Sequence, residues 1–165
     1  MEIDSLQKLY VEELKDLYSA EKQIIQALPR MAKKVANPQL RQAFEEHLEV
    51  TKKQVERLDQ IFERLERSPR GKKCKGMEGL LEEGKEMMQE DMDPEVLDAA
   101  LISAAQKVEH YEIAGYGTVR AYAQLLGEEV DARLLQQTLD EEGETDKKLT
   151  QLAESSINVE AAVEV

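Results

Sequence analysis

The sequence predicts an all-α protein: a four-helix bundle of two helical hairpins, joined by a long crossover that carries a short extra helix. Three observations predict it. Apolar residues recur at helical spacing along four long stretches, turn signals at Asn37-Pro38 and Gly127 divide those stretches into two pairs, and the pairs repeat one another in register. With 41% apolar and 35% charged residues, four prolines and eight glycines in 165 residues, the composition suits one folded helical domain.

Asp4 or Ser5 can cap the first helix, which continues to about Val35, with Pro29 expected to kink or divide it. Its inward series is Leu14, Leu17, Glu21, Ile24, Leu28, Met31. Asn37, with proline at the first helical position, opens a second helix that runs to about Arg67 and ends before Ser68-Pro69-Arg70-Gly71. Its seam reads Leu40, Phe44, His47, Thr51, Gln54, Leu58, Ile61, Leu65. The crossover, residues 68–93, holds a short amphipathic piece with Met77, Leu80, Leu81, Gly84, Met87 and Met88 on one side.

Asp93-Pro94 opens the third helix, Asp as cap and Pro in the first turn. Its seam is Leu101, Ala105, Val108, Glu112, Gly115, Val119, Tyr122, flanked by Glu109. Gly127 breaks the pattern, and a fourth helix occupies about Glu128 to Ser155 with the seam Leu135, Thr138, Glu142, Thr145, Leu149, Leu152. Residues 1–155 are expected to form the single domain, and 156–165 a weakly patterned tail that frays.

Every seam is interrupted near its middle by polar residues. A buried carboxylate is costly unless it is paired, hydrogen-bonded or bound to a cation, so four interruptions at matching depth call for a common cause. The depths match because the hairpins repeat: His47, Thr51 and Gln54 recur at a constant offset as Thr138, Glu142 and Thr145, and Ala20-Glu21-Lys22-Gln23-Ile24 answers Val108-Glu109-His110-Tyr111-Glu112. Glu109 and Glu112, three apart on one helix, can reach one site, and Glu21 and Glu142 add a carboxylate each from two other helices. With His47 as a nitrogen ligand, Glu21, Glu109, Glu112 and Glu142 are the candidate metal ligands, enough for one or two divalent ions. The alternative is a buried network in which the same groups hydrogen-bond to one another.

Four segments carry a resemblance to a known family: Asp16-Leu17-Tyr18-Ser19-Ala20-Glu21-Lys22-Gln23, the run from His47 through Thr51 and Gln54-Val55 to Arg57-Leu58, Gln106-Lys107-Val108-Glu109-His110-Tyr111-Glu112-Ile113-Ala114, and Thr138-Leu139 with Glu141-Glu142. On these the chain resembles the YciE/YciF family of bacterial ferritin-like stress proteins, within the ferritin-like superfamily. The resemblance implies a ferritin-like four-helix fold, frequently dimeric, associated with stress responses. The superfamily's di-iron site takes one Glu from each of two helices and a Glu-x-x-His motif from each of the others. Glu21 and Glu109 match the single glutamates; Thr51-x-x-Gln54 and Glu142-x-x-Thr145 occupy the motif positions. No Glu-x-x-His occurs in the chain, which speaks against oxygen-activating di-iron chemistry.

The expected function is therefore a ferritin-like, stress-associated protein binding a divalent metal, iron or another cation, in the bundle interior. The competing expectation is a non-enzymatic, dimeric structural or partner-binding protein with a degenerate site. No catalytic residue is assigned. A net charge of -13 disfavours nucleic acid and anionic membranes, and the absence of a Gly-rich phosphate loop disfavours a nucleotide cofactor; no organic cofactor is expected. The basic run from Arg67 to Lys75 reads as a solvated linker, His110 as a solvent or interface residue, and Cys74 as an incidental loop thiol whose lysine neighbours could lower its pKa. With one cysteine, no long apolar run and no signal-like start, a cytoplasmic location is expected, and the family resemblance implies a homodimer.

Overall fold

A computed structural model describes residues 2–163; Met1 and residues 164 and 165, which belong to the expected domain start and tail, lie outside them. The elements are α1 (Leu6–Lys34), α2 (Pro38–Arg64), α3 (Lys75–Met87), α4 (Pro94–Leu125) and α5 (Glu129–Leu152). A π-helical turn (Ala153–Ile157) and α6 (Asn158–Val163) follow. There is no strand among the described residues. α1 packs on α2 and α4 on α5, as hairpins; the hairpins meet through α1 with α4 and α2 with α5, and α3 lies against α4 and α1.

Local chemistry sets most boundaries. The Ser5 hydroxyl accepts from the Lys8 amide at 3.3 Å, and the Asn37 side chain accepts from the amides of Gln39 and Leu40 at 2.9 and 3.1 Å. Asp93 stands at the start of α4 but makes no side-chain capping bond. α1 runs unbroken through Pro29, so the expected division does not occur: Leu28, Met31 and Ala32 on either side are buried, and their packing offsets the lost backbone bond.

α2 stops at Arg64, before the expected Arg67. Glu66 turns into the left-handed region at φ 54, its amide bonds the Glu63 carbonyl, and the Arg67 amide reaches back to Phe62 at 3.0 Å. α4 ends on the same Schellman pattern with Gly127 at φ 77, the Glu128 amide reaching the Ala123 carbonyl at 2.9 Å.

The expected fraying from residue 156 is not what the described residues show. The helix passes through the π turn and continues to Val163, because Ala153 and Ile157 are buried in the same apolar cluster as Leu101 and Ile102 of α4. The crossover helix is amphipathic as read, burying Met77 and Gly84 and laying Leu80, Leu81 and Met88 on that cluster.

Two apolar clusters fill the bundle. One is built around Ile24, Leu28, Leu40, Phe44, Leu101, Val108 and Leu149, the other around Tyr10, Leu14, Leu17, Leu58, Ile61, Val119 and Leu135. Along every long helix the sequence between them is the polar interruption. The result is a buried polar layer across the middle of the bundle.

Candidate metal centre

Each long helix contributes to this layer. Glu21 projects from α1, His47, Thr51 and Gln54 from α2, Glu109 and Glu112 from α4, and Thr138 and Glu142 from α5, all buried. Donor atoms of His47, Glu109 and Glu142 lie within 4.8 Å of one another, and so do donor atoms of Glu21, Glu112 and Glu142. The five candidate ligands are thus brought together as two triads that share Glu142. Equivalent positions on repeated hairpins place them at one depth, and the i, i+3 spacing of Glu109 and Glu112 lets one helix serve both triads.

The donors are largely without partners. Oε2 of Glu21, both ring nitrogens of His47, Oε2 of Glu109 and both oxygens of Glu112 and of Glu142 are buried with no hydrogen-bond partner outside the cluster; within it, Glu112 faces Glu21 and Glu142, and Glu109 faces Glu142, closely enough to share protons. Nε2 of His47 comes within 2.9 Å of Oε1 of Glu109 but lacks the alignment of a hydrogen bond. At ~1–3 kcal/mol for each orphaned buried polar group, leaving them all unmet would cost on the order of the whole stability of a domain. Positive charge has to enter the layer, as protons or as a cation.

The electrostatics point the same way. Burial pushes the carboxyls of Glu21, Glu109 and Glu112 well above the usual carboxylate range, and the nearby Glu142 charge pushes them further. Burial lowers His47, favouring the neutral imidazole that can ligate a metal, while the charges of Glu142 and Glu141 partly oppose it. A set of four carboxylates and one neutral imidazole in a buried layer matches the donor preference of hard or borderline divalent cations. The residues present fit such an ion.

Neighbouring groups brace the layer, and one of them, Tyr116, holds a donor directly. The Tyr116 phenol donates to Oε1 of Glu21 at 2.5 Å, and the Thr51 hydroxyl donates to the His47 carbonyl at 2.8 Å. Arg57 pairs with Glu141 and donates to the Thr138 hydroxyl at 3.1 Å, placing a cation at the rim of the layer. Gln54 is fully buried with its amide oxygen and nitrogen both unpartnered, so it offers a further neutral donor at a position where the superfamily motif has histidine. His110 lies outside, exposed and 3.2 Å from Asp146.

Other residues were not legible from the sequence. Cys74 is not an incidental loop thiol. It is buried at the start of α3, its sulfur 3.0 Å from the Tyr111 hydroxyl and 3.3 Å from Asp16, while Tyr111 donates to Asp16 at 2.9 Å. Burial raises the thiol pKa, the reverse of the lowering expected from its lysine neighbours. Asp98 accepts from the amides of Ala36 and Asn37 at 2.9 and 2.8 Å, and buried Asp131 accepts from Tyr10 and Arg64 at 3.2 and 3.0 Å. These aspartates tie turns and helix ends of one hairpin to the other, and only their long-range partners distinguish them from surface acids. No helix among the described residues is long and apolar enough to cross a membrane.

The model of a family described as a domain of unknown function, DUF892, matches residues 5–162. Protein YciF of Escherichia coli strain K12 is 47% identical over 166 residues, 98% of each chain. The crystal structure of that E. coli stress protein superposes with a TM-score of 0.91, covering 94% of this chain and 99% of its own. YcfI of Rhodopseudomonas palustris, for which a structural role has been suggested, is 44% identical with a TM-score of 0.88 over 90% and 95% of the two chains. A protein of Xanthomonas campestris pv. campestris shares the fold at 23% identity, with a TM-score of 0.76 over 97% of each chain.

Proposed function

The chain belongs to the DUF892 family, and from that membership and the buried layer we propose a stress-associated, ferritin-like protein that binds one or two divalent cations, iron among them. The ligands are Glu21, His47, Glu109, Glu112 and Glu142. The observation that carries this reading is the convergence, from four helices, of buried donor atoms that have no partner outside their own cluster.

A bound divalent ion supplies Lewis acidity and, for iron, a redox couple. The chain's own residues do the rest. Glu142 joins the two triads, Tyr116 fixes the orientation of Glu21, and the two apolar clusters bound the layer above and below. Protons held by Glu21, Glu109 and Glu112 leave as the cation enters, so binding tightens as pH rises.

Elemental analysis of protein purified without added metal, followed by anomalous scattering at the polar layer, tests the proposal. Metal should bind with proton release and raise Tm, and Glu109→Ala should abolish both. Wild-type binding no greater than that of the variant would sink it.

A second reading is a dimeric structural protein that keeps the bundle without using the site, favoured by the role suggested for the R. palustris relative. On that reading, replacing Glu21, Glu109, Glu112 and Glu142 together by Gln leaves dimer and partner binding intact. The exposed strip of α4 with Ala114, Ala121 and Leu125 supports a homodimer, and the free thiol of Cys74 suits a reducing cytoplasm.

A further inference from the structure

The polar layer is not closed off on all sides by packed side chains. A cavity of about 100 Å³ adjoins it, walled by Leu28, Phe44, Val108 and Leu149, and it ends on His47 and Glu109. Three of its lining positions, Ala27, Ala43 and Ala105, are alanines among larger apolar residues, and the missing volume leaves the space. Its outer edge is the ion pair of Glu46 and Lys148, 2.7 Å apart and half exposed, which bridges α2 to α5. On another side Met31 and Leu81 separate it from a groove between α1, α3 and α4.

Size and lining select the occupant. Beyond the Glu46–Lys148 edge, polar atoms come only from His47, Glu109 and Thr145, and the rest of the lining is methyl, methylene and ring surface, where a water would find no partner. An apolar cavity of ~150 Å³ is known to stay dry and to take up benzene or xenon, so this one suits a molecule of a few heavy atoms. A charged solute seated between Phe44 and Leu149 would lose its hydration against apolar walls.

We propose that this cavity is a binding site for a small, uncharged, apolar molecule, the size of a diatomic gas or xenon, held against the His47–Glu109 edge of the polar layer. The site rests on the metal-centre reading only for its use; its existence depends on Ala43, Ala105 and the apolar walls. The occupant reaches His47 and Glu109 without crossing the carboxylates of Glu21 and Glu112, which belong to the other triad.

Xenon is the probe. In crystals of the full chain under xenon pressure, anomalous density is expected between Phe44 and Val108, and its loss is expected in Ala105→Leu. Val50→Phe, at a half-buried lining position that strains the fold less, is the second variant and should also exclude xenon. Both variants should keep the wild-type metal content. In solution, the spin relaxation of bound ¹²⁹Xe should rise several-fold when the protein is loaded with Mn²⁺. Wild-type crystals without xenon at this position, or equal occupancy in both variants, overturn the site. Manganese that binds without changing xenon relaxation overturns its placement beside the centre. Failure of manganese to bind, with xenon present in wild type and lost in the variants, defeats the metal reading and upholds the cavity.

Discussion

The phenol of Tyr116 on α4 donates a 2.5 Å hydrogen bond to Oε1 of Glu21 on α1, joining two side chains without solvent exposure across the two hairpins. One Glu21 oxygen is thereby fixed, and the other is left facing the layer with no partner. Tyr116→Phe should keep the fold but weaken metal binding by roughly 10–100-fold, the usual effect of losing a group that orients a ligand. Titration of divalent metal into both proteins checks it. Unchanged affinity would reduce Tyr116 to packing.

Glu142 is shared by both triads, whereas Glu21 and His47 each belong to one. Glu142→Gln should therefore lower stoichiometry and affinity together, while Glu21→Gln or His47→Ala should impair one part of the binding curve. Calorimetry with metal counts by elemental analysis separates these outcomes. Equal losses in all three variants would contradict the shared-ligand geometry.

The metal-free protein should lose stability as pH rises. Glu21, Glu109 and Glu112 have folded-state pKa values raised by burial and by Glu142. Their contribution is complete below the unfolded value of about 4.3 and is lost as pH climbs through the raised folded values. His47, lowered by burial, works the other way, costing stability below about pH 6.5, where the unfolded imidazole takes up a proton. Three carboxyls outweigh one imidazole, so Tm of apoprotein should be higher at pH 6 than at pH 8, and metal should rescue it most at pH 8. Thermal melts in chelator and in metal test both signs, and a Glu21→Gln, Glu109→Gln, Glu112→Gln triple variant should flatten the slope.

Gly76 and Gly79 offer an internal control on the crossover. A Cβ at Gly76 would stand 2.6 Å from the Tyr111 ring, pushing its hydroxyl away from Cys74 and Asp16; a Cβ at Gly79 meets nothing within 4 Å. Gly79→Ala should stabilise by ~0.5–1 kcal/mol through helix propensity. Gly76→Ala should instead destabilise by ~1–3 kcal/mol and speed hydrogen exchange in α3. Thiol reagents should find Cys74 slow in wild type and faster in Gly76→Ala.

The inward series of all four helices could be read in sequence because helical periodicity sorts residues by face before any tertiary contact exists. Leu14, Leu17, Glu21, Ile24, Leu28 and Met31 are all buried, and so are Leu40 to Ile61 along the seam of α2. The five candidate ligands were visible for the same reason, since an acid in an apolar series is anomalous locally. Cys74, Asp98 and Asp131 were not. Cys74 lies between two lysines, and Asp98 and Asp131 stand near the starts of their helices where an acid is ordinary; apart from the Met77 amide on the Cys74 sulfur, the partners of their side chains are 37 to 121 residues away.

Boundaries divide in the same way. The Asn37 cap and the Gly127 stop are written in residues that favour those conformations, whereas the stop at Glu66 sets a non-glycine residue at φ 54, which no local preference announces. The continuation of helix past Ser155 depends on burial of Ile157 against α4, a contact made only once the bundle is assembled.

The sequence by itself therefore determined the helices, their inward faces, the hairpin repeat and the identity of the four glutamates in the polar layer, because these follow from 3.6-residue periodicity and turn chemistry. The tertiary structure alone decided that Glu142 is common to two triads, that Tyr116 holds Glu21, and that an apolar cavity meets His47 and Glu109. Those are distances between helices, and periodicity along one chain carries no information about the rotation and depth at which two helices meet.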